Sequence, residues 1–174
     1  MKLSCGGILV SPENFKSIRV IRDQKTDMDN VDVCTFNGIM RIFSIYNQRT
    51  DLKSSPAARF VELLLQKLRI QVFRSYKPLE DYDLGKALFV QTTYSDDDIY
   101  WVNAKYIRQV RIDSKKTTFG EEYTVFIENS LSEEYPVIHT LDRTVAENYV
   151  NMLLKILQES VIEVEKLIRD FVCW

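Results

Sequence analysis

The chain has 174 residues, 23 Lys+Arg against 25 Asp+Glu for a net charge of −2, and 45% hydrophobic residues. That balance excludes a strongly basic protein that coats polyanions, and 5 Gly with 4 Pro argue against long disordered stretches. No run approaches the ~20 apolar residues of a membrane-spanning helix, so no membrane partner is expected.

Three cysteines without short spacing, Cys5, Cys34 and Cys173, read as reduced thiols of a cytoplasmic protein rather than as disulfides or a zinc site. The opening Met1-Lys2-Leu3-Ser4-Cys5 lacks the apolar run of roughly 7–15 residues that a secretion signal places before its cut. Charge is uneven along the chain. Residues 1–85 carry 13 Lys+Arg and 10 Asp+Glu, whereas residues 86–174 carry 10 and 15. An anion-facing surface is therefore expected on the first half.

In chain order, Gly7–Val10 reads as a short strand, Ser11-Pro12-Glu13-Asn14 as a turn and Phe15–Arg22 as a strand. A polar loop over Asp23–Asn30 leads to a hairpin of Val31–Phe36 and Met40–Tyr46, with Asn37-Gly38 as the turn signal. Ser54 or Ser55 caps a helix that has Pro56 at its first position and runs to about Arg69, with Phe60, Leu64 and Leu68 on one face. Ile70–Tyr76 and Lys86–Thr93 are rich in β-branched and aromatic residues and read as two further strands joined by Lys77–Gly85.

Ser95-Asp96-Asp97-Asp98 reads as a solvated hairpin tip; it lacks the spaced ligands, turn glycine and distal Glu of a calcium loop. Strands follow at Ile99–Val102 and Tyr106–Ile112, with Asn103 in the turn between them. Tyr123–Glu128 and Tyr135–Thr140 form a hairpin around Asn129-Ser130, and Asp142 caps the final helix. That helix shows no stop before Val172, a span of about 30 residues or ~45 Å.

An offset of 89 superimposes the chain on itself. Residues 14–22 match residues 103–111 at five of nine positions: Asn14/Asn103, Lys16/Lys105, Ile18/Ile107, Arg19/Arg108 and Arg22/Arg111. The same offset places Leu52, Ala57, Val61, Leu64, Leu65 and Leu68 on Leu141, Ala146, Val150, Leu153, Leu154 and Leu157. Shared leucines alone would follow from helical periodicity. Shared polar residues do not, and a period this long suggests a fused pseudo-dimer rather than a solenoid. The expected fold is α+β: two tandem pseudo-symmetric repeats, each of about four antiparallel strands followed by a helix. The repeats would span 1–76 and 86–174, joined by 77–85 and merged into one globular unit.

Two residue sets stand out. The duplicated basic set, Lys16, Arg19, Arg22, Lys105, Arg108 and Arg111, suits phosphate contact if clustered, or pairing with nearby carboxylates if scattered. On the final helix Leu154, Leu157, Val161, Val164, Ile168 and Phe171 recur by threes and fours. That seam is either core-facing or a self-association surface. The single histidine, His139, has no sequence neighbour suited to acid–base partnership and reads as structural or surface-lying.

Four strands then a helix, used twice, resembles the architecture of the whirly and Pur-type single-strand nucleic-acid binders. Gly85-Lys86-Ala87-Leu88 is similar to the Lys-Gly-Lys-Ala-Ala-Leu signature of plant whirly proteins. It differs in lying between the copies and in having Leu84 in place of the leading Lys, so the resemblance implies element order and no residue roles. Pleckstrin-like modules also combine a strand-rich sheet with a C-terminal helix. The functional expectation is a non-catalytic protein without a cofactor, binding a protein partner or itself. Single-stranded nucleic-acid binding through the basic set is the alternative, and an enzyme with an unrecognised site the third reading.

Overall fold

The computed structural model describes residues 3–5, 8–10, 14–47, 51–74, 77–83, 86–92 and 97–172, with side chains excepted at 3–5, 8–10, 79 and 159–172. The chain is mixed α+β. Its strands are β1 (Leu3–Cys5), β2 (Ile8–Val10), β3 (Phe15–Asp23), β4 (Met28–Thr35), β5 (Gly38–Tyr46), β6 (Gln71–Phe73), β7 (Leu88–Gln91), β8 (Asp98–Asn103), β9 (Ile107–Thr117), β10 (Gly120–Asn129) and β11 (Glu134–Thr140). The helices are α1 (Pro56–Lys67) and α2 (Arg143–Val172).

Apolar and polar residues alternate along β3 and β4, so one face of their sheet is greasy. Ile18 and Val20 lie opposite Val33 and Val31, and all four are buried. The sheet has six strands in the order β5-β4-β3-β8-β7-β6. Helix α1 covers the apolar face of β3–β5. It begins where the sequence places it: Ser55 accepts the Ala58 N–H at 3.1 Å through its side chain, with Pro56 at the first position. Ala57, Ala58, Val61 and Leu65 enter the core, and Phe60 stacks on Phe43 at 4.4 Å.

The same core contains Phe89, Ile99 and Trp101. Residues from both halves of the chain therefore build one hydrophobic body, because β8 pairs antiparallel with β3. Trp101 is fully buried, and its indole N–H is the buried side-chain group left without a hydrogen-bond partner among the described residues.

A second sheet, in the order β11-β10-β9, packs against α2 through Val125, Ile127 and Val137 on the sheet and Ala146, Tyr149, Leu153 and Ile156 on the helix. Val90 and Val102 of the first sheet complete that core, and Phe73 meets Tyr149 edge-on at 5.2 Å.

The structure revises the reading of several stretches. Asp29 and Asn30 are buried strand residues of β4, and the turn before them is confined to 24–27. Strand β9 runs on past Ile112 to Thr117 and turns back through Thr118 and Phe119. β6 pairs parallel with β7, so the six-stranded sheet is mixed rather than wholly antiparallel. Of the acidic run at 95–98, Ser95 and Asp96 lie outside the described residues.

Candidate binding surface

Since α1 occupies one face of β3–β5, the question is what the other face offers. On β5 the half-buried Ile42, Phe43 and Ile45 pack toward α1, while Ile39, Arg41, Ser44 and Tyr46 are exposed. Strand alternation puts these four, with Arg19 of β3 and Asp32 of β4, on the open side. A bulge opposite the Val31–Asp32 step leaves Ile42 unpaired and keeps that sorting in phase on both sides of it.

At the centre of this face one carboxylate serves two guanidinium groups. Asp32 receives Arg19 Nη2 at 3.1 Å and Arg41 Nε at 2.9 Å, and its own side chain is only 2% exposed. The arginine stems shield it from water. Burial of Arg19 works against its charge, but Cys34 and Asp32 outweigh that and raise its pKa above the ordinary arginine value. Tyr100, opposite Arg19 on β8, has its pKa raised by burial and then by Asp98, and its ring lies 5.0 Å from that of Tyr135. The Tyr135 hydroxyl donates to Glu133 at 2.9 Å.

The six duplicated basic residues do not assemble into one surface. Arg22 stands on the opposite face of β3 from Arg19 and forms a two-pronged pair with buried Asp29 at 2.9 and 3.2 Å. Hydrogen bonding to Asp29 raises the Arg22 pKa. Arg111 is held by Asp113 and by Glu134, the latter at 2.7 Å, and its guanidinium lies 4.8 Å from the Phe126 ring centre. Arg108 is exposed and forms no ion pair among the described residues.

Lys16 and Lys105, equivalent under the 89-residue offset, do converge. The Lys16 ammonium lies 4.3 Å from the centre of the Phe36 ring and the Lys105 ammonium 5.9 Å from that of Tyr106. The two rings meet edge-to-face at 5.3 Å. Phe36 sits in the β4–β5 turn and is 63% exposed. In that turn Gly38 has φ +123°, a conformation that side-chain-bearing residues rarely adopt, which explains the Asn37-Gly38 signal.

On α2 the buried positions are Ala146, Tyr149, Leu153 and Ile156, with Leu157 packed partly against them and Leu154 half-buried. The described core stripe runs beside Leu154 and Leu157 of the seam, which stand half-buried at its margin. The side chains of Val161, Val164, Ile168 and Phe171 lie outside the described residues. His139 is exposed on β11, with Nδ1 2.9 Å from the Thr124 hydroxyl.

A shallow depression of about 230 Å³ is lined by Ile112, Ser114, Glu121, Tyr123, Arg143 and Glu147. Its polar groups are taken up by one another, Tyr123 donating to Glu121 at 2.8 Å and Arg143 to Glu147 at 2.7 Å. No group of His, Cys, Asp and Glu suited to a metal ion occurs among the described residues, and no described helix is long and apolar enough to cross a membrane.

No protein-family model, curated protein or solved structure matches this chain.

Proposed function

We propose that this is a non-catalytic binding protein of the cytoplasm that acts through a surface for a protein partner or for a second copy of itself. The observation that carries this reading is the internal pairing of Arg19, Arg22 and Arg111 with Asp32, Asp29 and Asp113/Glu134. Half of the duplicated basic set is neutralised within the fold, so it does not form a phosphate-binding stripe. The non-catalytic part is supported by His139, whose ring is paired with a threonine hydroxyl on an exposed strand.

The reading includes a tandem duplication, supported by the recurrence of a three-stranded antiparallel meander followed by a helix at β3–β4–β5–α1 and β9–β10–β11–α2.

One observation favours single-stranded nucleic acid instead: Lys16 and Lys105 beside the rings of Phe36 and Tyr106. Binding to labelled single-stranded DNA and RNA at about 50 and 200 mM salt separates the two. The wild type should be compared with a Lys16/Arg22/Lys105/Arg111→Ala variant. The protein-partner reading expects no binding at low salt. Tight binding that falls steeply with salt and disappears in the variant would replace it.

A further inference from the structure

The six-stranded and three-stranded sheets present four outer strands, and they differ in how well their edges are guarded. β6 is three residues long, β9 carries the exposed Lys115 and Lys116, and β11 contains Pro136. Short length, edge lysines and proline all discourage further strand pairing. β5 has nine residues and none of these features. Its one irregularity, the bulge at Ile42, leaves Gly38–Arg41 as a regular run beside the turn. In an edge strand every second residue directs its N–H and C=O outward, so β5 offers a hydrogen-bonding ladder partly unused among the described residues.

The side chains around that ladder define what would pair with it. Ile39 and Phe36 are about 60% exposed apolar groups at the same end of the strand. Arg19 and Arg41 share the single charge of Asp32, which leaves this three-residue group with one positive charge in excess. Lys16, beside Phe36, forms no ion pair among the described residues and adds another.

Resting on the binding-protein reading above, we propose that the outer edge of β5 takes up an extended segment of a partner protein by strand addition. On the face it shares with Ile39 and Arg41 the segment carries an apolar residue and, two positions along, an acidic one. Its main chain pairs with Gly38–Arg41, an apolar side chain covers Ile39, and a carboxylate beside Arg41 balances the two-to-one arginine–aspartate group. Nucleic acid suits this site less well. It cannot extend a main-chain ladder, and Asp32 holds both guanidinium groups away from an incoming phosphate.

The test is fluorescence anisotropy with a labelled peptide, Gly-(Val-Thr-Asp-Thr)₂-Gly, whose valines and aspartates share one face, against the full chain. Expected is saturable binding that weakens about tenfold or more when Lys replaces Asp, and again when alternate residues are N-methylated. Ile39→Lys and Arg41→Gln, both at exposed positions, should each weaken binding to a similar degree while circular dichroism stays unchanged and the melting temperature falls by no more than a few degrees. No saturable binding up to about 1 mM, or binding indifferent to N-methylation or to both variants, overturns the proposal. Failure here together with silence toward oligonucleotides leaves the broader reading standing. Salt-sensitive oligonucleotide binding removes that broader reading as well.

Discussion

The side-chain amide of Asn103 donates to the main-chain carbonyl of Phe15 across 2.9 Å, a buried bond between positions 88 residues apart. The Asn103 carbonyl oxygen also accepts the Lys105 N–H at 3.0 Å, starting the turn that carries the chain from β8 into β9. One residue thus shapes its own turn and ties it to the start of β3. Asn103→Ala should cost about 1–3 kcal/mol, since it leaves a buried carbonyl unpaired. Its counterpart Asn14 is exposed, and Asn14→Ala should cost less than about 0.5 kcal/mol. Urea unfolding of both variants checks the contrast; equal losses would contradict it.

The Arg19–Asp32–Arg41 group should respond non-additively. Removing either arginine leaves Asp32 with the other, and because both guanidinium groups reach water the single losses should be about 1 kcal/mol or less. Arg19→Ala together with Arg41→Ala strands a buried carboxylate. The double variant should therefore lose more than the sum of the single ones, by about 1–3 kcal/mol. A double-mutant cycle in urea measures this, and simple additivity would show that Asp32 is solvated otherwise.

Stability at high pH should fall through buried tyrosines. Burial raises the Tyr149 pKa, and burial followed by the Glu133 hydrogen bond raises that of Tyr135. A raised folded-state value means the folded chain keeps its proton after the unfolded chain has lost it. This stabilisation is complete below the unfolded tyrosine pKa of about 10 and is lost as pH climbs from there toward the folded value. Absorbance at 295 nm should show late-ionising tyrosines. Tyr149→Phe should reduce both the late phase and the alkaline slope of stability while leaving the slope near neutral pH unaltered.

On α2 the core stripe can be tested against its neighbour. Leu153 is fully buried and Leu154 half-buried. Leu153→Ala should destabilise by about 2–5 kcal/mol and Leu154→Ala by distinctly less. Thermal unfolding of the pair decides which stripe faces the sheet, and a larger loss at Leu154 would place the sheet-facing stripe there instead.

The two neighbouring stripes show what a sequence can and cannot reveal. Leu153-Leu154 and Ile156-Leu157 are adjacent apolar pairs, so two stripes one residue apart fit the same helical period, and only packing selects between them. Local chemistry was legible: the Ser55–Pro56 start of α1 and the Asn37-Gly38 turn follow from backbone preferences of single residues. The end of β9 was not, because Asp113–Thr117 is polar on both faces and is held as strand by pairing with β10.

Nor could the basic set be resolved from sequence. Arg19 and Arg22 look like free cations until β4 brings Asp32 and Asp29 alongside. Lys16 and Lys105, matched in the sequence, lie beside one pair of touching rings.

The pairing of β3 with β8 also governs how the chain must be made. The core around Ile18 and Val33 is closed by Ile99 and Trp101, so a ribosome that has delivered β3 must synthesise some 80 residues more before its partner strand β8 is complete. At about 5–20 residues per second that is a wait of roughly 4–16 s, during which β3–β5 and α1 must shield their apolar face without β8. Non-local closure of this kind also slows refolding in solution. A chain cut between the halves should therefore give fragments that are unstable apart and complement one another when mixed.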